Sequence, residues 1–383
     1  MTGSKAQDGE AGLLLVGGGH AHVAVLADLV RRGVPAGARA VLLTPEPVLR
    51  YSGMVPGWLA GQHGKDEGLV DLAALAARAG VALVLDRCVA LDPEARVVRL
   101  AGGGALRFAV ASFDTGGEGR AAALLGEDPR LVDVRPIGAF VERLAALRAS
   151  RRGLQRMVVA GGGAGGVELA FALRNLAGAP TLPEVTLATG RGGLLPGFAP
   201  AVRRLVARAL ARQGIAVLEE DVRFEGGALV AGSRSLEPAD LVVAALGSAA
   251  PGWVRASGVA TDAEGFLLVD AHHRSLSHPR IFAAGDVAAR ADRPLAHSGV
   301  HAVFAGPVLA ANLRAVMEGS LPRAAYSPRR HSLYLLNTGD GAAIASYGPL
   351  AAQGRWVLAL KHRIDKGWIA KYARLAGEQR DHV

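Results

Sequence analysis

Two glycine turns and a pair of histidines in this 383-residue chain have the types and spacing for chemistry. "LLLVGGGHAHVAVL" carries Gly17 and Gly19 at G-x-G spacing directly after an apolar run, followed by His20 and His22. "MVVAGGGAGGVELA" carries Gly161, Gly163 and Gly166, a complete G-x-G-x-x-G, with Glu168 two residues further on. In a dinucleotide-binding turn the first glycine permits the tight bend and the second admits a pyrophosphate to the backbone. The third lets helix and strand pack closely. The helix that follows offers unpaired N–H groups and the positive end of its dipole to phosphate. The first turn keeps both phosphate-facing glycines and carries His22 in the packing position. His22 is therefore expected to be structural, widening the helix–strand contact, with His20 nearer the pyrophosphate.

His297 and His301 are four apart and would share a face if their segment is helical. Imidazoles titrate near neutral pH, so the pair could relay protons. Partly buried, hydrogen-bonded histidines fit the pattern equally well. His20 and His22, two apart, would not face the same way, and no metal site is expected. Glu168 could bind a nicotinamide dinucleotide or position its ring, or simply be a first-turn acid favoured by the helix dipole. An acid after the second strand of each unit would take the ribose hydroxyls. Glu46 stands near that place in the first unit. In the second the place near Thr189 lacks an acid and Arg191 follows, which leans toward NADPH over NADH without deciding it.

Positioning these residues takes two β-α-β units. "GLLLVGGG" reads as a buried parallel strand and turn, residues 21–32 as a helix stopped by Gly33, and 38–44 as the next strand. The order recurs in "LQRMVVAGGGAGGVELAFALRNL" and "EVTLATG". "HPRIFAAGDVA" reads as a strand ending at Gly285–Asp286. Residues 331–350 alternate about a Gly-Asp-Gly turn, a hairpin signal, and a basic amphipathic helix follows.

Bulk composition removes some classes. The net charge is +9, but no compact Lys/Arg block with interleaved aromatics argues for nucleic acid. The single cysteine, Cys88, excludes an intramolecular disulfide and a C-x-x-C pair, consistent with a cytoplasmic protein. The polar N-terminus reads as a flexible tail without a signal peptide's apolar region. The longest stretch free of charged residues, Pro294 to Leu313, holds two histidines, two glycines and a second proline. It reads as a loop and buried helix, not a membrane span.

With "RIFAAGD", the two turns resemble the two-dinucleotide-domain flavoproteins of the pyridine nucleotide-disulfide oxidoreductase superfamily. That resemblance covers nearly the whole chain. It implies FAD on the first turn, NADH or NADPH on the second, and Gly285–Asp286 at the FAD ribityl chain. "FDTGGEG" and "LVVAALGSAAP", the latter with Gly247, resemble the domain-crossing segments. "RCVALDPE" resembles the strand whose backbone meets the FAD adenine, near Val89. A closer resemblance, in "VGGGHAHVAVL", "YSGMVPGWLAG" and "LLNTGDGAAIASYGPLAAQGRWV", is to type II NADH dehydrogenase-like proteins, in the branch associated with selenide, water dikinase. A histidine after the first glycines is normal there. The chain departs from that branch at "AHSGVHAVFAGP", where a more basic, glutamine-bearing segment is expected beside the flavin.

The implied fold is α/β: two Rossmann-like domains plus a small C-terminal α+β region. A flexible tail would span 1–10. The FAD domain would take 11–120 and 256–325, the inserted NAD(P) domain 121–255, and a C-terminal hairpin and helix 326–383. Ser52, in "RYSGMVPG", would lie near the flavin ring. Without a cysteine pair, electrons would pass from flavin to a non-thiol acceptor, quinone first. A small organic substrate of a biosynthetic or selenium/sulfur pathway, or a non-catalytic flavin sensor, are the alternatives. The C-terminal segment with Trp356, Lys361, Arg363, Lys366, Trp368, Lys371, Tyr372 and Arg374 suits peripheral contact with the inner face of a membrane, a cap over the flavin, or a homodimer contact.

Overall fold

A computed structural model describes residues 10–150, 154–297 and 299–377. The tail expected at 1–10 lies, apart from Glu10, outside them. The first sheet has seven strands. Its parallel centre is Val81–Leu85, Ala40–Thr44, Ala11–Val16 and Ala105–Phe113, with Ile281–Ala283 returning from late in the chain to pair with Ala105–Phe113. These central strands are near-continuous apolar runs because both faces are covered. Leu14, Leu15, Val41, Leu42 and Phe113 are essentially inaccessible. Cys88–Asp92 and Val97–Leu100 extend the edge antiparallel.

A second, all-parallel sheet of five strands runs Ala216–Leu218, Glu184–Ala188, Arg156–Ala160, Leu241–Ala244 and Leu131–Asp133. Each glycine turn thus lies at the carboxyl end of its sheet's central strand, where open α/β sheets bind ligands.

The helix Gly299–Met317 lies along His20–Arg32. Length and composition would let it cross a membrane. Here it is a core element: Leu309 and Leu313 are buried, and Arg314 is paired with Asp28 at 2.7 Å. Gly306 is needed at the crossing, since a Cβ there would lie 2.6 Å from the Ala24 methyl.

The expected C-terminal hairpin is a three-stranded meander of Leu333–Asn337, Ala343–Tyr347 and Leu350–Gly354. Gly348, at φ +57°, makes the second tight turn. The helix Arg355–Ala376 then folds back over the molecule. Of the residues expected at a membrane surface, a flavin cap or a dimer contact, Lys361 and Tyr372 are buried and Trp368 is partly so. Trp356, Arg363, Lys366, Lys371 and Arg374 remain exposed.

Candidate functional site

Both turns share one backbone construction. Gly17, at φ +96°, lies against the carbonyl of Asp114, and a Cβ would overlap it; Gly161, at φ +127°, stands in the same relation to the carbonyl of Ala245. They part at the third position. A Cβ on Gly166 would overlap the carbonyl oxygen of Gly161. In the first turn His22, fully buried, hydrogen bonds the corresponding carbonyl, with Nδ1 2.6 Å from Gly17 O and Nε2 2.8 Å from Ser112 Oγ. A carbonyl only accepts, so Nδ1 carries the proton and Nε2 accepts from the serine. This is a neutral imidazole, and burial lowers its pKa to about 4 despite the bond to Gly17. His22 is structural as expected, and its role is a specific bond, not a mere spacer.

The helix N-termini differ as well. Gly163 and Gly165 meet nothing within 4 Å of an added Cβ, so the second helix opens to solvent. At the first, the N-cap Gly19 has no side chain, and Asp114 supplies the cap from the neighbouring strand end. Its Oδ2 accepts the N–H groups of Ala21 at 2.8 Å and His22 at 3.1 Å. Burial pushes the Asp114 carboxyl up to about 7; the two N–H bonds oppose this and Asp286 adds to it.

The C-terminal helix bridges the two turns, meeting Glu168 beside one through Lys361 and His20 at the other through Trp368. Glu168 is largely shielded, with 14% of its side chain exposed; its Oε1 accepts the Asn337 N–H at 2.9 Å and lies 3.8 Å from Lys361 Nζ. Lys361 is 3.3 Å from Asp365, and Tyr51 O–H donates to Asp365 at 3.2 Å. Burial works against the Lys361 charge, but Glu168 and Asp365 outweigh it and hold its pKa up. Burial raises Glu168, with Lys361 opposing, and raises the Tyr51 phenol further. Tyr51 stacks on Trp368 at 4.9 Å between ring centroids, and Trp368 meets Tyr372 edge-on. His20 leans on both Tyr51 and Trp368, at 5.6 and 5.3 Å, and burial lowers its pKa to about 4.

Among the described residues seven buried side-chain polar atoms lack a partner. Five belong to this region: His20 Nε2, His63 Nδ1, His362 Nε2, Asp365 Oδ2 and Trp368 Nε1. Folded interiors rarely leave such atoms unanswered, so unmet polar capacity is concentrated along the inner face of this helix. Asp365 Oδ2 does have the Lys361 charge nearby.

Other expected residues are placed as follows. Asp286, just after the strand Ile281–Ala283, accepts from Arg135 Nη2 at 2.6 Å; this partner comes from the second half and was not foreseen. His297 precedes the helix that begins at Gly299, so it does not share a helix face with His301. Both still line one crevice with Asp286, His273, Arg290 and Tyr326. His297 packs edge-on against Phe266, His301 Nδ1 bonds Tyr326 O–H at 2.9 Å, and burial lowers the His301 pKa. Ser52 is exposed, and Tyr51 beside it turns inward instead. Glu46 is exposed at the end of Ala40–Thr44, and Val89 is half-exposed where Cys88–Asp92 shifts register. Arg191 is exposed after Glu184–Ala188, with Asp221 from the connection after Ala216–Leu218 3.8 Å away. Gly247, at φ +79°, lies in a crossing segment whose Ala249 exchanges two 2.9 Å backbone bonds with Glu118 of the other.

Two sheets with parallel centres, each central strand ending in a glycine turn, with a buried polar cluster between the turns, define a two-dinucleotide oxidoreductase. Residues 12–306 match the family model for pyridine nucleotide-disulphide oxidoreductases, and the chain belongs to that family. As such it is an FAD-dependent NAD(P)H oxidoreductase. The fold is that of the sulfide:quinone oxidoreductase from the hyperthermophilic bacterium Aquifex aeolicus, with a TM-score of 0.76 at 17% identity over 96% of this chain and 92% of that one. It is also that of a ferredoxin reductase from Rhodopseudomonas palustris, with a TM-score of 0.70 at 21% identity over 87% and 81%. Putidaredoxin reductase, in its covalent complex with putidaredoxin, is similar at TM-score 0.71 and 21% identity, over 88% and 81%. No curated protein matches the sequence.

Proposed function

We propose that the second turn binds NAD(P)H, the first holds FAD with Asp286, and electrons pass on to a non-thiol acceptor, quinone first. The observation that carries this is the pairing of two glycine turns at strand ends with a polar cluster between them that is rich in unpartnered atoms and free of cysteine. FAD held there would supply a two-electron acceptor for hydride that can release electrons singly or in pairs. The chain's own residues bind, orient and shield. Gly161, Gly163 and the open helix N-terminus take the dinucleotide phosphates. Glu168, fixed by Lys361 and Asn337, positions the nicotinamide end. The C-terminal helix, with Trp368 and Tyr372, keeps water out. Tyr51, its phenol proton held firmly by burial, donates toward Asp365.

A thiol relay is disfavoured. Cys88 is the single cysteine, lies at the sheet edge, and burial pushes its thiol up to about 12. The finer kinship we propose is with the type II NADH dehydrogenase-like branch. The sulfide:quinone oxidoreductase neighbour lends a quinone acceptor support by its name alone. Exposed Trp356 with Arg355, Arg363, Lys366 and Lys371 favours peripheral contact of a cytoplasmic protein with an anionic membrane; flotation with acidic vesicles tests it.

The deciding experiment is the visible spectrum of the purified protein before and after anaerobic NADH or NADPH, followed by an acceptor screen. Bleaching of a flavin band, then reoxidation by soluble quinones, is expected. A colourless protein after gentle preparation sinks the reading. A second reading, a small organic substrate, is favoured by the His297–His301–Tyr326 crevice bordering Asp286. It wins if quinones fail and a pathway metabolite succeeds.

A further inference from the structure

The residue that follows the partner strand distinguishes the two turns. After Leu241–Ala244 comes Ala245, a methyl; after Ala105–Phe113 comes Asp114, a carboxyl. That carboxyl takes the place of an N-cap side chain on the helix His20–Arg32, whose own N-cap is glycine. It is 3% exposed, and a Cβ on Gly19 would overlap it. A Cβ on Gly285 would overlap its Oδ1. Asp114 is therefore wedged between Gly17–Gly19 and Gly285–Asp286, the two loops assigned above to FAD. Helix N–H groups are what a dinucleotide phosphate uses. At the second turn they face open space, whereas at the first a carboxyl already engages two of them.

We propose that Asp114 makes FAD binding proton-linked: its carboxyl takes up one proton from solvent as the pyrophosphate reaches this helix N-terminus, so the cofactor binds more tightly as pH falls. The inference rests on the reading that the first turn holds FAD. An ionised carboxylate and a pyrophosphate at one buried helix end repel; a neutral carboxyl instead donates a hydrogen bond to a phosphate oxygen. Other titratable groups lie around Asp114. Asp286, from the late loop, is paired with Arg135 at 2.6 Å. His20 and His22, from the helix, are held neutral by burial, near 4. Burial places the Asp114 carboxyl itself near 7, and an arriving pyrophosphate raises it further. Below about pH 7 the free protein already carries the proton and affinity is flat. Above it, each pH unit weakens binding by up to about tenfold, until the raised value is reached.

The test dilutes full-length holoprotein between about pH 6 and about pH 9 and reads released flavin by fluorescence. FAD is then titrated back into the dialysed chain at about pH 8, in two buffers of different ionisation enthalpy, to count protons. Wild type should show a Kd that rises by up to about tenfold per unit above neutrality, with close to one proton taken up per FAD. Asp114→Asn keeps an oxygen for the two N–H groups and cannot titrate. It should give a flat profile, no proton uptake, and tighter binding than wild type above about pH 8. A wild-type Kd independent of pH without proton uptake overturns the proposal, as does a wild-type slope retained in Asp114→Asn. If that variant does not fold, the wild-type proton count decides alone. No FAD binding at any pH by folded wild type overturns the flavin reading, and the proposal with it.

Discussion

The first and second glycine turns share a backbone and differ in nearly everything attached to it. The first is sealed: His22 bonds the turn's own carbonyl, Asp114 caps the helix, and His20 sits under Tyr51 and Trp368. The second is bare: Gly163 and Gly165 meet open space and Gly166 leaves no room for a side chain. A sealed turn suits a group that stays; a bare one suits a coenzyme that comes and goes each turnover. The glycine signature sets where phosphate is met, while residues far away in sequence set how firmly.

The largest expected effect tests how the bare turn is anchored. Lys361→Met removes the one cation between Glu168 and Asp365 and should cost about 3–5 kcal/mol of unfolding free energy in denaturant melts. A loss below about 1 kcal/mol would mean the cleft is wet and the helix loosely held.

Next comes a substitution that makes the first turn look more like the second. His22→Gly completes the G-x-G-x-x-G signature yet should destabilise by about 3 kcal/mol, because Ser112 loses its partner and a cavity opens. Stabilisation by this change would break the comparison. The same site predicts an acid response. His22 is neutral when folded, with a pKa near 4, and takes a proton on unfolding near 6.5. Its contribution is present above about 6.5 and lost as pH falls toward about 4. The wild-type advantage over His22→Gln should shrink by up to about 3 kcal/mol across that window, read by melts at each pH.

The sharpest pair is smaller still. Gly19→Ala drives a methyl into the Asp114 carboxyl and should cost about 1–3 kcal/mol along with flavin retention. Gly163→Ala, at the equivalent place, should leave stability within about 0.5 kcal/mol and only weaken NAD(P)H binding, by about tenfold, in coenzyme titrations. Equal effects at both sites would erase the distinction.

Where the constraint is local, the sequence is readable. The turns, their strands and Gly33 as a helix stop follow from glycine sterics and apolar runs within a few residues. Asp114 was overlooked because it caps a helix 92 and 93 residues away and sits in a segment that reads as a domain crossing. Periodicity locates the C-terminal helix but not the surface its faces meet, so membrane contact, a cap and a dimer contact stay open for Lys361, Trp368 and Tyr372, which pack inward. The stretch around Ser52 is placed by resemblance alone, and nothing local in the sequence shows that Tyr51 is the residue that turns inward. Four-residue spacing puts His297 and His301 on one face only if both are helical, and His297 lies outside the helix Gly299–Met317.

The crossing segments have a mechanical consequence. Glu118 and Ala249 meet as one isolated rung of two backbone bonds. The rung does not act alone: Val55, Trp58 and Leu59 pack into the core of the second sheet, and the Ala177 N–H bonds Leu59 O at 2.9 Å. The Arg135–Asp286 and Lys361–Glu168 bridges add charge pairs at two further points. Fastened at several separated points, the two sheets should keep their mutual register when any single bridge is loosened.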